Sequence, residues 1–315
     1  MTRSLALALA LCFCAPSASA FQFPWSKDKP FESVQELYAR EDYGEVAAKL
    51  SEPGLRRISR GNRAKAYKML GVSLERLGKT KEALAVYQYA ETLYPEDLNI
   101  LSGLANLLHR VDLDDRARPL FERVLSIHPN NAEAHLGMAE ILARQGLLER
   151  AQRHYESALS EWNRNPEIWR DYALLLGQRR DWAGAVAAVR QALALQESAA
   201  SYEALALFQR ASGEPEAYSS LTRAIGMTQD RPDMRLRAAL WLLEDGRLDE
   251  CLQAADSLLA ADPEEPLALW LRASVSLRRG RFESARGDLE KAAQHGRRAP
   301  FVARVSQALL ERLPR

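Results

Sequence analysis

Residues 64–97 read AKAYKMLGVSLERLGKTKEALAVYQYAETLYPED. Tyr67, Leu70, Gly71 and Leu74 fall on one side of a helix, and Ala83, Tyr87 and Ala90 recur at helical spacing after Gly78. Glycine at Gly78 suits a left-handed turn that closes the first helix, because it has no Cβ to clash. Pro95 stops the second helix, because proline has no amide N–H and its ring clashes with the preceding turn. The stretch therefore predicts helix, tight turn, helix and connector.

The same plan extends outward. Pro95 and Pro129 lie 34 residues apart, and a 34-residue frame with these prolines at position 32 gives units 64–97, 98–131, 132–165 and 166–199. The frame then slips by two residues, so that 200–231 is shortened, and resumes as 232–265 and 266–299. In the six full units position 8 is Gly71, Ala105, Ala139, Ala173, Ala239 and Ala273, and position 20 is Ala83, Ala117, Ala151, Ala185, Cys251 and Ala285. Small residues in these columns let helix backbones cross closely. Position 15 is Gly78, Asp112, Gly146, Arg180, Gly246 and Gly280, where the left-handed turn is expected. Pro166, Pro232, Pro266 and Pro300 open helices at a position where a missing N–H costs nothing.

Tyr67, Leu70-Gly71, Leu74, Gly78, Ala83, Tyr87, Ala90 and Pro95 resemble the tetratricopeptide repeat, and the resemblance covers residues 64–299. It implies an all-α fold: a right-handed α-solenoid of stacked helix-turn-helix units. His135, Arg235 and Arg272 depart from it, standing where the family has large apolar residues. In the family, positions 2, 5, 9 and 12 of each first helix line a concave groove that binds extended or helical peptide segments. The spacing itself sets these positions opposite positions 4, 7, 8 and 11, so that they are expected to meet solvent or a partner. Carried onto this chain they are Lys65, Lys68, Val72 and Glu75; Asn99, Ser102, Asn106 and His109; Glu133, Leu136, Glu140 and Ala143; and Glu167, Arg170, Leu174 and Gly177. Arg76, Arg110 and Arg144 follow one residue later, in register, as an expected basic ladder at the groove edge. Asn106 has the donors and acceptor to hold a peptide amide. Some relatives clamp a C-terminal carboxylate with lysine, asparagine and arginine. Lys68 matches one clamp position, but Val72, Gly103, Glu133 and Gly137 occupy the others, so that clamp is broken.

The flanks read differently. Residues 1–20 are expected to be a cleaved signal peptide: Arg3, an apolar run from Leu5 to Cys14, then Ala18-Ser19-Ala20 as the cleavage site. Ten apolar residues are too few to cross a bilayer, which needs about 20. Residues 21–30 read as a flexible leader, 31–63 as a degenerate N-terminal helical repeat broken near Asp42-Tyr43-Gly44, and 300–315 as a capping helix with one wet face.

Without Arg3 the chain carries 42 basic and 42 acidic residues, which gives no basic footprint for nucleic acid. No other stretch reads as a membrane span. Cys251 alone would remain after cleavage, so packing must carry the fold. The sequence has no nucleophile elbow, phosphate loop, dinucleotide fingerprint, H-E-x-x-H or C-x-x-C-H, and none of its five histidines sits at metal-binding spacing. No catalytic residue, metal or cofactor is therefore assigned. Cys251 and His135 read as packing residues, and Trp162, Trp169, Trp182, Trp241 and Trp270 as core. The expectation is a non-enzymatic, periplasmic or secreted scaffold, gripping protein or peptide partners for envelope assembly, secretion or polysaccharide export. The alternative is a glycan or peptidoglycan module using groove aromatics.

Overall fold

The computed structural model describes residues 28–228, 231–295 and 297–314. The signal reading, and the leader up to Lys27, lie outside them. The described residues are helices and connectors, with no strand. No helix among them is long and apolar enough to cross a membrane.

The chain falls into two compact units, residues 1–127 and 128–315. The described part of the first contains α1 (Lys29–Ala39), α2 (Tyr43–Lys49), α3 (Glu52–Arg57), α4 (Arg60–Arg76), α5 (Thr80–Leu93), α6 (Leu98–Arg110) and α7 (Asp114–Ile127). Helices α4 and α5 form one hairpin and α6 and α7 the next; α6 packs on both α4 and α5, and α1 and α2 pack on α4.

The second unit contains α8 (Ala132–Arg144), α9 (Leu148–Glu161), α10 (Pro166–Gln178), α11 (Trp182–Leu195), α12 (Ala199–Ser212), α13 (Ala217–Gly226), α14 (Pro232–Glu244), α15 (Leu248–Ala261), α16 (Pro266–Arg278), α17 (Phe282–Gln294) and α18 (Pro300–Leu310). Five hairpins follow in order from α8–α9 to α16–α17, each second helix packs on the first helix of the next hairpin, and α18 rests on α16 and α17. Within each unit this is the α-solenoid arrangement, in which each hairpin buries its apolar face only against its neighbours.

The two small-residue columns explain how closely the helices approach. Ala83, Ala117, Ala151, Ala185, Cys251 and Ala285 are all fully buried, as are Ala105, Ala139, Ala173, Ala239 and Ala273. Burial also raises the pKa of the Cys251 thiol, consistent with a packing role. Replacing Ala83 or Ala151 with leucine is expected to overpack its crossing and cost about 1–3 kcal/mol, read as a lower thermal midpoint. An unchanged melting curve would place these residues away from the crossings.

The turns make the same demand with and without glycine. Gly78, Gly146, Gly246 and Gly280 have φ of 72–75°, and Asp112 and Arg180 adopt φ of 59° and 61° in the same column. A Cβ there is strained by roughly 1–2 kcal/mol, so the hairpin geometry, and not the residue, sets the turn. Glu41 at φ 63° makes the corresponding bend between α1 and α2. The break expected near Asp42-Tyr43-Gly44 falls at residues 40–42, so Asp42 lies in it while Tyr43 and Gly44 open α2.

Several first helices begin at side-chain caps, though α4 and α14 do not. The Asp97 carboxylate accepts from the amides of Asn99 (2.9 Å) and Ile100 (3.2 Å), Asn131 Oδ1 from Ala134 (2.8 Å), and Asn165 Oδ1 from Glu167 (2.9 Å). The shortened unit closes differently. Its second helix α13 has 10 residues, and a buried Ser220 hydroxyl donates to Gln209 Oε1 at 2.6 Å, tying α13 to α12.

Candidate functional site

In the first unit, the side chains expected in a groove come from α4 and α6. Lys65 is exposed, and Lys68, Val72, Asn99 and Asn106 are half-buried. These five stand on adjacent first helices whose opposite sides, through Tyr67, Leu70, Leu74, Leu104 and Leu108, are buried.

Two neighbours on α6 depart from the expectation. Ser102 is buried at 2% exposure and His109 at 9%. Helix α6 lies against both α4 and α5, and nine of its 13 residues are buried, so its solvent-reaching strip is narrower than the helical spacing predicts. His109 instead ties the hairpin together: its Nδ1 lies 2.7 Å from Asp114 Oδ1 at the start of α7.

The basic ladder is also altered. Arg110 forms an ion pair with Glu75, whose side chain is 10% exposed, so this arginine joins α6 to α4. Burial raises the Tyr38 pKa, and the exposed Arg76 opposes that shift. Arg144 is exposed at the end of α8.

In the second unit, Glu133, Leu136, Glu140 and Ala143 on α8 are half-buried. On α10, Glu167 and Leu174 are exposed and Arg170 is half-buried. Gly177 is corrected to a buried position. A Cβ there would lie 2.4 Å from the Phe208 ring, so α10 and α12 need the gap.

A residue missed by the sequence reading joins this group. Asp171 has its carboxyl pKa raised mainly by burial; Arg170 opposes the shift, while Glu140 and Glu167 add to it. The Tyr155 hydroxyl is pushed up by burial and by Glu140 and Asp171. Glu140, Glu167 and Asp171 thus form one acidic cluster across α8 and α10, partly neutralised by Arg170. Asp171 occupies position 6, where the two units before it carry Gly103 and Gly137, and that change from glycine to a carboxylate was the available signal.

Of the residues that break the family pattern, Arg235 is exposed, and His135 and Arg272 are locally satisfied. His135 Nε2 meets the Pro129 carbonyl at 2.8 Å, and its Nδ1 lies 2.9 Å from His154 Nδ1. A carbonyl only accepts, so His135 carries a proton on Nε2. Arg272 makes a two-pronged pair with the buried Asp288, at 2.8 and 2.7 Å, and a further contact to Asp256.

The tryptophans are engaged separately. Trp169 Nε1 donates to Asn163 O at 2.8 Å, Trp182 stacks near Phe208, Trp241 is buried under the Arg210 guanidinium, and Trp270 lies against the α16–α17 core. Trp162 is exposed in the connector after α9. No group of three or more histidine, cysteine or carboxylate side chains able to hold a metal occurs among the described residues.

Three models of tetratricopeptide repeats match the chain, at residues 64–97, 115–155 and 236–303. The C-terminal part of a repeat-containing protein of this kind from Cytophaga hutchinsonii superposes with a TM-score of 0.61 at 13% identity, covering 76% of this chain and 98% of that one. A tetratricopeptide repeat protein from Parabacteroides merdae superposes with a TM-score of 0.53 at 16% identity, covering 90% and 97%. At such identities these likenesses show the fold. None of the curated proteins matches the chain.

Proposed function

Because the chain is a tetratricopeptide-repeat protein, we propose that it works as a non-enzymatic scaffold of the bacterial cell envelope, gripping segments of partner proteins along the first-helix faces of its hairpins. One observation carries this reading: Lys65, Lys68, Val72, Asn99 and Asn106 reach outward from two adjacent helices whose other sides form the core. A preformed helical wall loses little freedom on binding, so the ordering cost falls on the partner segment. Lysine and asparagine side chains suit an acidic or amide-rich segment, and Val72 adds apolar contact. In the second unit the same helix positions carry Leu136, Glu140, Glu167 and Leu174, with Asp171 beside them, which suits a segment with basic and apolar residues.

Export to the periplasm is supported by the apolar run and small-residue site in residues 1–20. Envelope assembly, secretion and polysaccharide export are the processes in which such a scaffold would serve. Affinity capture from envelope fractions with crosslinking tests the proposal. Recovery of crosslinked partner segments on α4 and α6 supports it; recovery of glycan strands alone would favour the alternative module.

The groove assignment has its own test. Changing Lys65 and Lys68 to glutamate together with Asn106→Ala is expected to weaken capture at least tenfold while leaving helicity intact. Equal capture by this variant would refute the face. Arg110→Glu is a poorer probe, because it also breaks the ion pair with Glu75.

A further inference from the structure

Among the described residues, one flank of the first unit is left open. Helices α5, α7, α9, α11 and α15 each have 14 residues, whereas α2 has 7 and is followed by the separate 6-residue α3. Beside these short helices lies an apolar groove of about 930 Å3, walled by Ala47, Leu55, Tyr67, Leu70, Leu74 and Val86. A smaller recess of about 260 Å3 shares Leu55, Tyr67 and Tyr89 with it and adds Arg56, Arg63 and Tyr94. Tyr89 is 57% exposed and Leu93 46%, so large apolar groups rim this space in water. A contiguous apolar patch of this kind marks a contact surface.

The chain supplies the cover. Phe21-Gln22-Phe23-Pro24-Trp25-Ser26-Lys27 immediately precedes Asp28. The Asp28 carboxylate accepts from the Ser59 amide at 2.9 Å and from Asn62 Nδ2 at 3.0 Å, which fastens this point to the start of α4. Arg56 and Arg63 of the recess bracket Ser59 and Asn62 in the chain, so the segment joins the fold at the start of α4, beside the recess. From Arg63 to Leu77 the α4 wall is about 21 Å long at 1.5 Å per residue. Seven extended residues span about 23 Å.

The pattern of the segment fits as well as its length. In extended backbone alternate side chains share one side. Phe21, Phe23 and Trp25 would therefore face the wall, with Gln22, Pro24 and Ser26 turned outward. Pro24 biases Phe23 toward that extended form. A short tether also sets an effective concentration in the millimolar range, well above that of a second copy or a free peptide at micromolar levels. We propose that residues 21–27 lie in this groove as an intramolecular strap, aromatic side inward, covering the flank that the short α2 leaves bare. The proposal holds whether or not residues 1–20 are removed.

The test uses the full chain with Cys12, Cys14 and Cys251 changed to alanine and a new cysteine pair, Trp25→Cys with Tyr89→Cys. Mild oxidation is expected to give a disulfide within a single chain at monomer mass. A disulfide-linked dimer would overturn the proposal in favour of a second copy, and the absence of any disulfide would overturn it outright. Independently, Phe21→Ser, Phe23→Ser and Trp25→Ser together should speed amide exchange in α2 and α5 at least tenfold and raise binding of an apolar dye. Unchanged exchange and dye binding would also overturn it.

Discussion

Replacing Tyr87 with alanine is expected to destabilise the first unit by about 3–5 kcal/mol, the range for deleting a fully buried aromatic ring. The ring is 0% exposed and fills a slot between two helices. A Cβ on Gly71 of α4 would lie 2.3 Å from it, and a Cβ on Gly103 of α6 would lie 2.5 Å away, so both glycines are emptied to admit it. Its hydroxyl donates to the Lys68 carbonyl at a long 3.4 Å. Tyr87→Ala thus removes a contact shared by α4, α5 and α6. The check is denaturant unfolding with hydrogen exchange, where loss of protection should begin in those three helices. Tyr87→Phe keeps the ring and should cost about 1 kcal/mol, the net value of one ordinary hydrogen bond. Equal losses for the two variants would show that the hydroxyl, not the ring, holds the slot.

The second prediction concerns acid. His154 has its pKa lowered from 6.5 to about 4, first by burial and then by His135, Arg150 and Arg153. The folded state therefore takes up this proton later than the unfolded chain as the pH falls. Between pH 6.5 and about 4 the unfolded chain holds more protons, so stability drops across that window on acidification and is level on either side of it. The shift is worth about 3 kcal/mol at 1.36 kcal/mol per pH unit. Carboxylates titrate in the lower half of the same window, so the measurement is a comparison. His154→Gln should show a shallower loss of stability from pH 7 to pH 4 than the parent protein. Parallel curves would show that His154 is charged freely in the fold.

The repeat was legible because its demands are local. Two backbones crossing closely need small residues, and position 20 is small at Ala83, Ala117, Ala151, Ala185, Cys251 and Ala285 alike, all of which the fold buries completely. The turn was legible only where it carried glycine. Asp112 and Arg180 make the same left-handed turn with a Cβ, and Glu41 makes it in the first hairpin, where no glycine marks it.

The candidate face was harder to read. A single helix divides cleanly into a packed and a free side, but α6 is gripped by α4 and α5 together, which draws Ser102 and His109 into the interior. Pairings across hairpins were equally hidden. Nothing near Arg110 in the chain points to Glu75, 35 residues earlier, and His135 meets His154 only once α8 and α9 fold together. The aggregation of charge at Asp171 depends on the separation of α8 from α10, which periodicity alone does not give.

The slot around Tyr87 bears on how such a chain can evolve. Arrays of this kind are often treated as interchangeable cassettes, copied or deleted one at a time. Tyr87 ties its own cassette to the next, because its ring occupies space that Gly103 vacates. A duplicate of residues 64–97 inserted after Asp97 would set Met69, its own residue at that position, against the ring in place of Gly103. Gain of a repeat at this junction thus requires a compensating change in the neighbour, and the order of the hairpins here is inherited as a pair.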